Sequence, residues 1–227
     1  MAYILTIETS TEVCSAALFE NDQLLALKEE GGQYSHAEKL AVFIDELFQE
    51  SELTFKDLSA VAVSKGPGSY TGLRIGVTMA KGLCFALNIP LISIDTLKSL
   101  AWGIAQQKMK TALLCPTIDA RRMEVYTSLF THELEKIRPV EAVIVEEQFL
   151  EEALQDNLVY IFGNGAEKCI STLNHANLKY IKNQLPSASK MGALALEKFS
   201  EKTFEDVAYF EPFYLKDFIA LKGKKLV

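Results

Sequence analysis

The chain opens with three short segments dominated by apolar residues, "YILTIE" (3–8), "CSAALF" (14–19) and "LLALKEE" (24–30), parted by polar turn residues such as Asn21 and Asp22. Runs punctuated in this way predict a three-stranded meander. The period then changes. In "SHAEKLAVFIDELFQE" (35–50), Leu40, Phe43, Ile44, Leu47 and Phe48 recur at three- and four-residue spacing, and Ser35 with Glu38 reads as a capping box, so a helix is predicted. "AVAVS" (60–64) predicts a buried strand, Thr71 to Leu87 a second helix, "PLISID" (90–95) another strand and residues 96–108 a third helix. Along the second helix Gly72, Gly76 and Ala80 fall every fourth residue. Glycine inside a helix costs about 1 kcal/mol relative to alanine, so two of them point to the close approach of another backbone.

The pattern then restarts. Sliding the chain 111 places along itself (117 − 6) lays "TIETSTEVCSAALF" (6–19) over "TIDARRMEVYTSLF" (117–130) without a gap. Thr, Ile, Leu and Phe coincide, and an acid, Glu8 or Asp119, closes the first strand of each. Farther on, "AVAVSKGPG" finds a counterpart in "LVYIFGNG" (158–165), again a strand entering a Gly-x-Gly turn before a helix. Chance likeness between amphipathic strands is the competing explanation; two coincidences in the same order favour duplication. The expected architecture is α/β, with two lobes flanking a cleft. Residues 1–108 form a first lobe of βββαβαβα pattern in this reading, 109–208 repeat it and end in a helix at about 189–201, and 209–227 are an aromatic-rich segment that could return to the first lobe.

Of the 227 residues 49% are apolar, and a chain of this length buries roughly 70% of its unfolded surface, so no metal or disulfide staple is required. A net charge of −7 disfavours unaided nucleic-acid binding. Cys14, Cys84, Cys115 and Cys169 stand singly, as in proteins of a reducing compartment. The start "MAYILTIETS" lacks the basic and apolar regions of a leader, and no apolar run approaches the roughly 20 residues of a membrane helix. A soluble, cytoplasmic protein without a membrane partner is expected.

Candidate chemistry lies in the turns. "KGPGSYTGLRIG" (65–76) leads from a strand into a helix, where backbone N–H groups and the helix dipole would stabilise an anion. It is neither a Walker loop nor a dinucleotide fingerprint, and Gly66 and Gly68 with Pro67 could equally serve only to shape the bend. The turns after Glu8 and Asp119 offer an acid at a strand end, able to hold magnesium through water, with hydroxyls at Thr9, Ser10 and Thr11 and guanidinium groups at Arg121 and Arg122. A plain hydrogen-bonded turn is the alternative for each. His36, His132 and His175 stand alone, without metal-binding spacing; for His36, beside a helix start, solvent exposure is the expectation. No G-x-S-x-G elbow is present.

Taken together, "IETSTEVCSAAL", "KGPGSYTGLRIG", "DARRMEVY" and "EPFYLK", in this order and at these separations, resemble the bacterial TsaB family over nearly the whole chain. Its members belong to the machinery that makes threonylcarbamoyladenosine at position 37 of tRNAs reading ANN codons. The resemblance implies an actin-like, duplicated fold (ASKHA, ribonuclease H-like) and a non-catalytic relative of the transferase subunit TsaD. It also implies a heterodimer with a TsaD-type subunit, joined by a TsaE-type ATPase, with tRNA reached through the complex. No cofactor is implied beyond a weak nucleotide at a subunit interface, and a homodimer of the free chain stays open.

Departures from TsaD sharpen this. TsaD-like proteins carry a His-x-x-x-His pair that holds the catalytic metal where Thr96 and Leu100 stand here, and those side chains do not replace imidazoles. Actin-like ATPases begin with Asp-x-Gly-Thr; the matching turn here is Glu8-Thr9-Ser10-Thr11. The expectation is no catalytic residue and no metal. Glu8, Thr9, Ser10, Thr11, Asp119 and Arg121 would be vestigial nucleotide turns. Gly66, Pro67, Gly68, Ser69, Tyr70, Thr71, Gly72, Arg74 and Gly76 would be a vestigial phosphate loop or a partner contact. The resemblance places the TsaD contact on the helices at 35–50 and 71–87, with Leu40, Phe43 and Leu47 as the partner-facing residues of the first. The competing expectation is an autonomous actin-fold ATPase or kinase using Glu8 and Asp119 around magnesium. The basic tail "LKGKKLV" is expected to be solvated.

Overall fold

A computed structural model of the chain describes residues 1–32, 35–107 and 111–216, leaving aside the Ser35 side chain. The expected Ser35 cap, the division near Lys108 and the basic tail lie outside the described residues. The three opening runs form the predicted meander: β1 (Tyr3–Glu8), β2 (Val13–Glu20) and β3 (Gln23–Gly31), paired antiparallel. Then follow α1 (Ser35–Ser51), β4 (Leu58–Gly66), α2 (Tyr70–Leu87), β5 (Leu91–Asp95) and α3 (Thr96–Ala105). β4 adds parallel to β1, and β5 to β4, giving a five-stranded sheet of order β3-β2-β1-β4-β5.

The second half reproduces this plan. β6 (Leu113–Asp119), β7 (Glu124–Phe130), β8 (Lys136–Ile144), α4 (Glu151–Asp156), β9 (Val159–Phe162), α5 (Ala166–Thr172), β10 (Leu178–Ile181) and α6 (Gly192–Ser200) follow in order. Their sheet runs β8-β7-β6-β9-β10, strand for strand the order of the first. The aligned hairpins differ by one residue of register: Glu8 faces Ser15, whereas Asp119 faces Val125.

Each sheet is covered on both faces, and the last helix of each half covers the other half's sheet. Leu5, Ile7, Val61, Val63 and Leu91 bury one face of the first sheet under α1 and α2. Its opposite face, through Ile4, Ala60, Ala62, Ile92 and Ile94, meets Met191, Leu194 and Ala195 of α6 and the turn before it. Reciprocally, Leu97, Leu100, Ala101 and Ile104 of α3 pack on Leu114, Ile118, Phe130 and Phe162 of the second sheet. Each fully buried Leu or Ile contributes about 1.5–3 kcal/mol. The exchange corrects the expected division at 209, because the chain is already back on the first sheet at Ala188. That residue satisfies two buried side chains, accepting from Thr6 Oγ1 at 2.9 Å and donating its N–H to Ser15 Oγ at 2.9 Å.

From there the chain runs along the edge of the first half. Glu205 bridges Leu91, the Phe213 N–H donates to the Lys65 carbonyl at 2.7 Å, and Lys216 pairs with Glu124 of the second half. No helix among the described residues is long and apolar enough to cross a membrane.

Candidate functional site

β4 ends at Gly66, whose φ of 109° suits glycine, and a Cβ there would press on the Phe213 carbonyl and Leu73. The Gly66–Pro67 peptide is cis. Ser69 then caps α2, its Oγ accepting from the Gly72 N–H at 3.2 Å. The loop does not stand open above these N–H groups. The Ser69 N–H donates to the Ser10 carbonyl at 2.7 Å, and the Thr9 hydroxyl donates to the Gly72 carbonyl at 2.8 Å. A Cβ at Gly68 would overlap the Ser10 backbone, one at Gly72 the Thr9 carbonyl, and one at Gly76 the Thr9 hydroxyl. The backbone approach implied by the glycine spacing is therefore internal: the hairpin turn after β1 lies on α2.

His36 belongs to the same closure. Its Nε2 lies 2.7 Å from the Thr11 carbonyl oxygen and its ring is buried, against the expectation of exposure, because the turn and Gly72 close over it. Glu8, fully buried, accepts the Ser10 N–H on Oε1 at 2.6 Å, while Oε2 has no hydrogen-bond partner among the described residues. Desolvation pushes its carboxyl above the ordinary range, opposed by hydrogen bonds from Ser10, Ser64 and Thr9.

The equivalent turn in the second half has the same local bond in a different setting. Asp119 accepts the Arg121 N–H on Oδ1 at 2.6 Å, but its side chain is exposed. Lys168 braces the turn, donating to Asp119 Oδ1 at 2.8 Å, to the Arg122 carbonyl at 2.7 Å and to the Glu124 carbonyl at 3.0 Å. Asn164, from the Gly-x-Gly turn after β9, accepts the Asp119 N–H at 3.0 Å and donates to Glu12 at 3.0 Å, joining the two halves. Thus, of the two acids proposed for magnesium, Glu8 is sealed under its turn and Asp119 is paired with Lys168. Thr96 and Leu100, at the positions compared with a histidine pair, are both fully buried, Leu100 among the apolar side chains under α3.

The outward side of α2 differs from its glycine side. Ala37, Tyr70, Thr71, Arg74, Ile75, Thr78, Met79, Gly82 and Leu83 line a mainly apolar groove against α1, and Phe85 beyond it is 84% exposed. Tyr70 closes one end: Arg74 Nη1 donates to its hydroxyl at 3.0 Å, and Tyr214 stacks on its ring with centroids 4.7 Å apart. Leu40 and Leu47, expected to face a partner, are instead fully buried in the core under the first sheet, with half-buried Phe43 packed beside them. Periodicity identifies an apolar stripe but not whether sheet or partner covers it. Ile75, Met79 and Leu83, at four-residue spacing, mark a second stripe of α2 in the sequence, whereas Asn164 and Lys168 carry no sequence signal beyond their place in and just after a Gly-x-Gly turn.

A family model described as "TsaD: tRNA N6-adenosine threonylcarbamoyltransferase" matches residues 27–224. The chain is 31% identical over 225 residues to the Escherichia coli protein named tRNA threonylcarbamoyladenosine biosynthesis protein TsaB, covering 96% of each. The solved structure of YeaZ from Pseudomonas aeruginosa superposes with a TM-score of 0.82 at 26% identity, over 95% of this chain and 100% of that one. At the level of fold alone, component A of the (R)-2-hydroxyglutaryl-CoA dehydratase of Acidaminococcus fermentans matches with a TM-score of 0.50 at 9% identity, over 89% of this chain and 100% of that one.

Proposed function

This chain belongs to the TsaB family, on the actin-like fold, and from that premise we propose that it is a non-catalytic subunit of the machinery that makes threonylcarbamoyladenosine in tRNA. It docks a TsaD-type transferase as a heterodimer, with a TsaE-type ATPase recruited to the pair and tRNA reached through the complex in the cytoplasm. The observation that carries this reading is the pairing of a closed turn with an open groove. The loop that an actin-fold ATPase would offer to phosphates is closed on its own hairpin turn, the Ser69 N–H donating to the Ser10 carbonyl, while the other side of the same helix turns half-buried apolar side chains toward an open groove. An apolar groove beside two helices suits a helix pair from another subunit.

The competing reading, an autonomous ATPase built on Glu8 and Asp119, is disfavoured by geometry. One carboxylate is sealed under the turn, and the other is held by Lys168 and the Arg121 N–H. The test is reconstitution. The purified chain transfers no threonylcarbamoyl group alone and raises the activity of its transferase when added. A transferase equally active without it overturns the scaffold reading, and tight magnesium-dependent ATP turnover lost in Asp119→Ala would establish the alternative.

A further inference from the structure

The turn between β6 and β7 carries two guanidinium groups for which the scaffold reading has no task. Arg121 and Arg122 adopt left-handed backbone conformations in succession, with φ of 72° and 49°. A side chain is strained in that conformation, which Gly takes freely and Asn more readily than other residues. Both arginines are exposed, and among the described residues neither guanidinium has a hydrogen-bond or ion-pair partner.

The surroundings leave that charge uncompensated. Asp119 is paired with Lys168 and Glu124 with Lys216, so both acids of the turn are already matched on a chain whose net charge is −7. The base is rigid, since Lys168 bonds the Asp119 side chain and two carbonyls of the turn. The turn also adjoins the docking groove: Tyr214 stacks on Tyr70 at the groove's end, and Lys216, two residues on, pairs with Glu124 at the turn's base. Two adjacent planar forks fit phosphate oxygens in bidentate fashion, and phosphate contacts position a nucleic acid without reading its sequence.

Resting on the proposed function, we propose that Arg121 and Arg122 form a phosphate-binding site that grips the RNA backbone when the chain is docked on its transferase. The double variant Arg121→Asn with Arg122→Gly tests this without harming the fold, because it supplies the residues the turn conformation prefers; its melting temperature stays the same or rises. Binding of an unmodified ANN-decoding tRNA to the complex is measured by fluorescence anisotropy across a salt series, and pairing with the transferase by calorimetry on the same samples. The expected result is unchanged pairing, tRNA affinity lower by roughly tenfold, and a slope of log affinity against log salt reduced by about two. Unchanged affinity and slope overturn the inference. So does a variant that pairs more weakly with the transferase, which would make the arginines a protein contact. Wild-type proteins that fail to pair overturn the docking reading and this inference with it.

Discussion

The amide of Ser69 donates to the carbonyl oxygen of Ser10 across 2.7 Å, tying the strand-to-helix loop of the first half to its hairpin turn. Because Gly68, Gly72 and Gly76 all lie against the same turn, the closure depends on missing side chains as much as on hydrogen bonds.

Gly72→Ala or Gly76→Ala would drive a methyl group into Thr9 and is expected to cost about 1–3 kcal/mol. Gly82→Ala, in the same helix, meets nothing within 4 Å and should gain about 0.5–1 kcal/mol. Thermal unfolding of the three variants separates the two kinds of site; equal responses would show that the turn does not rest on α2.

The buried carboxyl of Glu8 makes stability depend on pH. Its native pKa is raised by desolvation, so the folded protein holds a proton that the unfolded chain has already released. Stability is unaffected below the unfolded value of about 4.3, falls as pH rises toward the native pKa, and levels off above it. Glu8→Gln keeps an acceptor for the Ser10 N–H without the charge, so it should gain on wild type across that same span. Urea unfolding at a series of pH values checks this; a constant difference would mean that the carboxyl titrates normally.

A charge in the groove should separate docking from folding. Thr78 is exposed on the outward side of α2, so Thr78→Glu should leave stability within about 0.5 kcal/mol. If the groove centres the interface, the same change should weaken binding to the TsaD-type transferase by about 2 kcal/mol or more, read by calorimetry. Undiminished binding would move the interface elsewhere.

Burial pushes the thiols of Cys14 and Cys84 up to about 11 and those of Cys115 and Cys169 up to about 12. All four are buried. The native protein should therefore resist alkylation at mildly alkaline pH and label at all four positions once unfolded. Mass spectrometry of native and denatured samples decides it; rapid native labelling of any one would mean local opening at that site.

Sequence pattern alone determined the meander, the alternation of helix and strand, the repeat offset and the need for a close approach at Gly72 and Gly76. Those features follow from residue period, turn chemistry and glycine's missing side chain, all of which act over a few neighbouring positions. Tertiary structure decided what each surface meets: that Thr9 is what approaches the glycines, that Leu40 and Leu47 face the sheet, and that α3 and α6 exchange sheets between the halves. An apolar stripe lowers its free energy against any apolar surface of fitting shape, so its choice of cover is set by the packing of the whole chain.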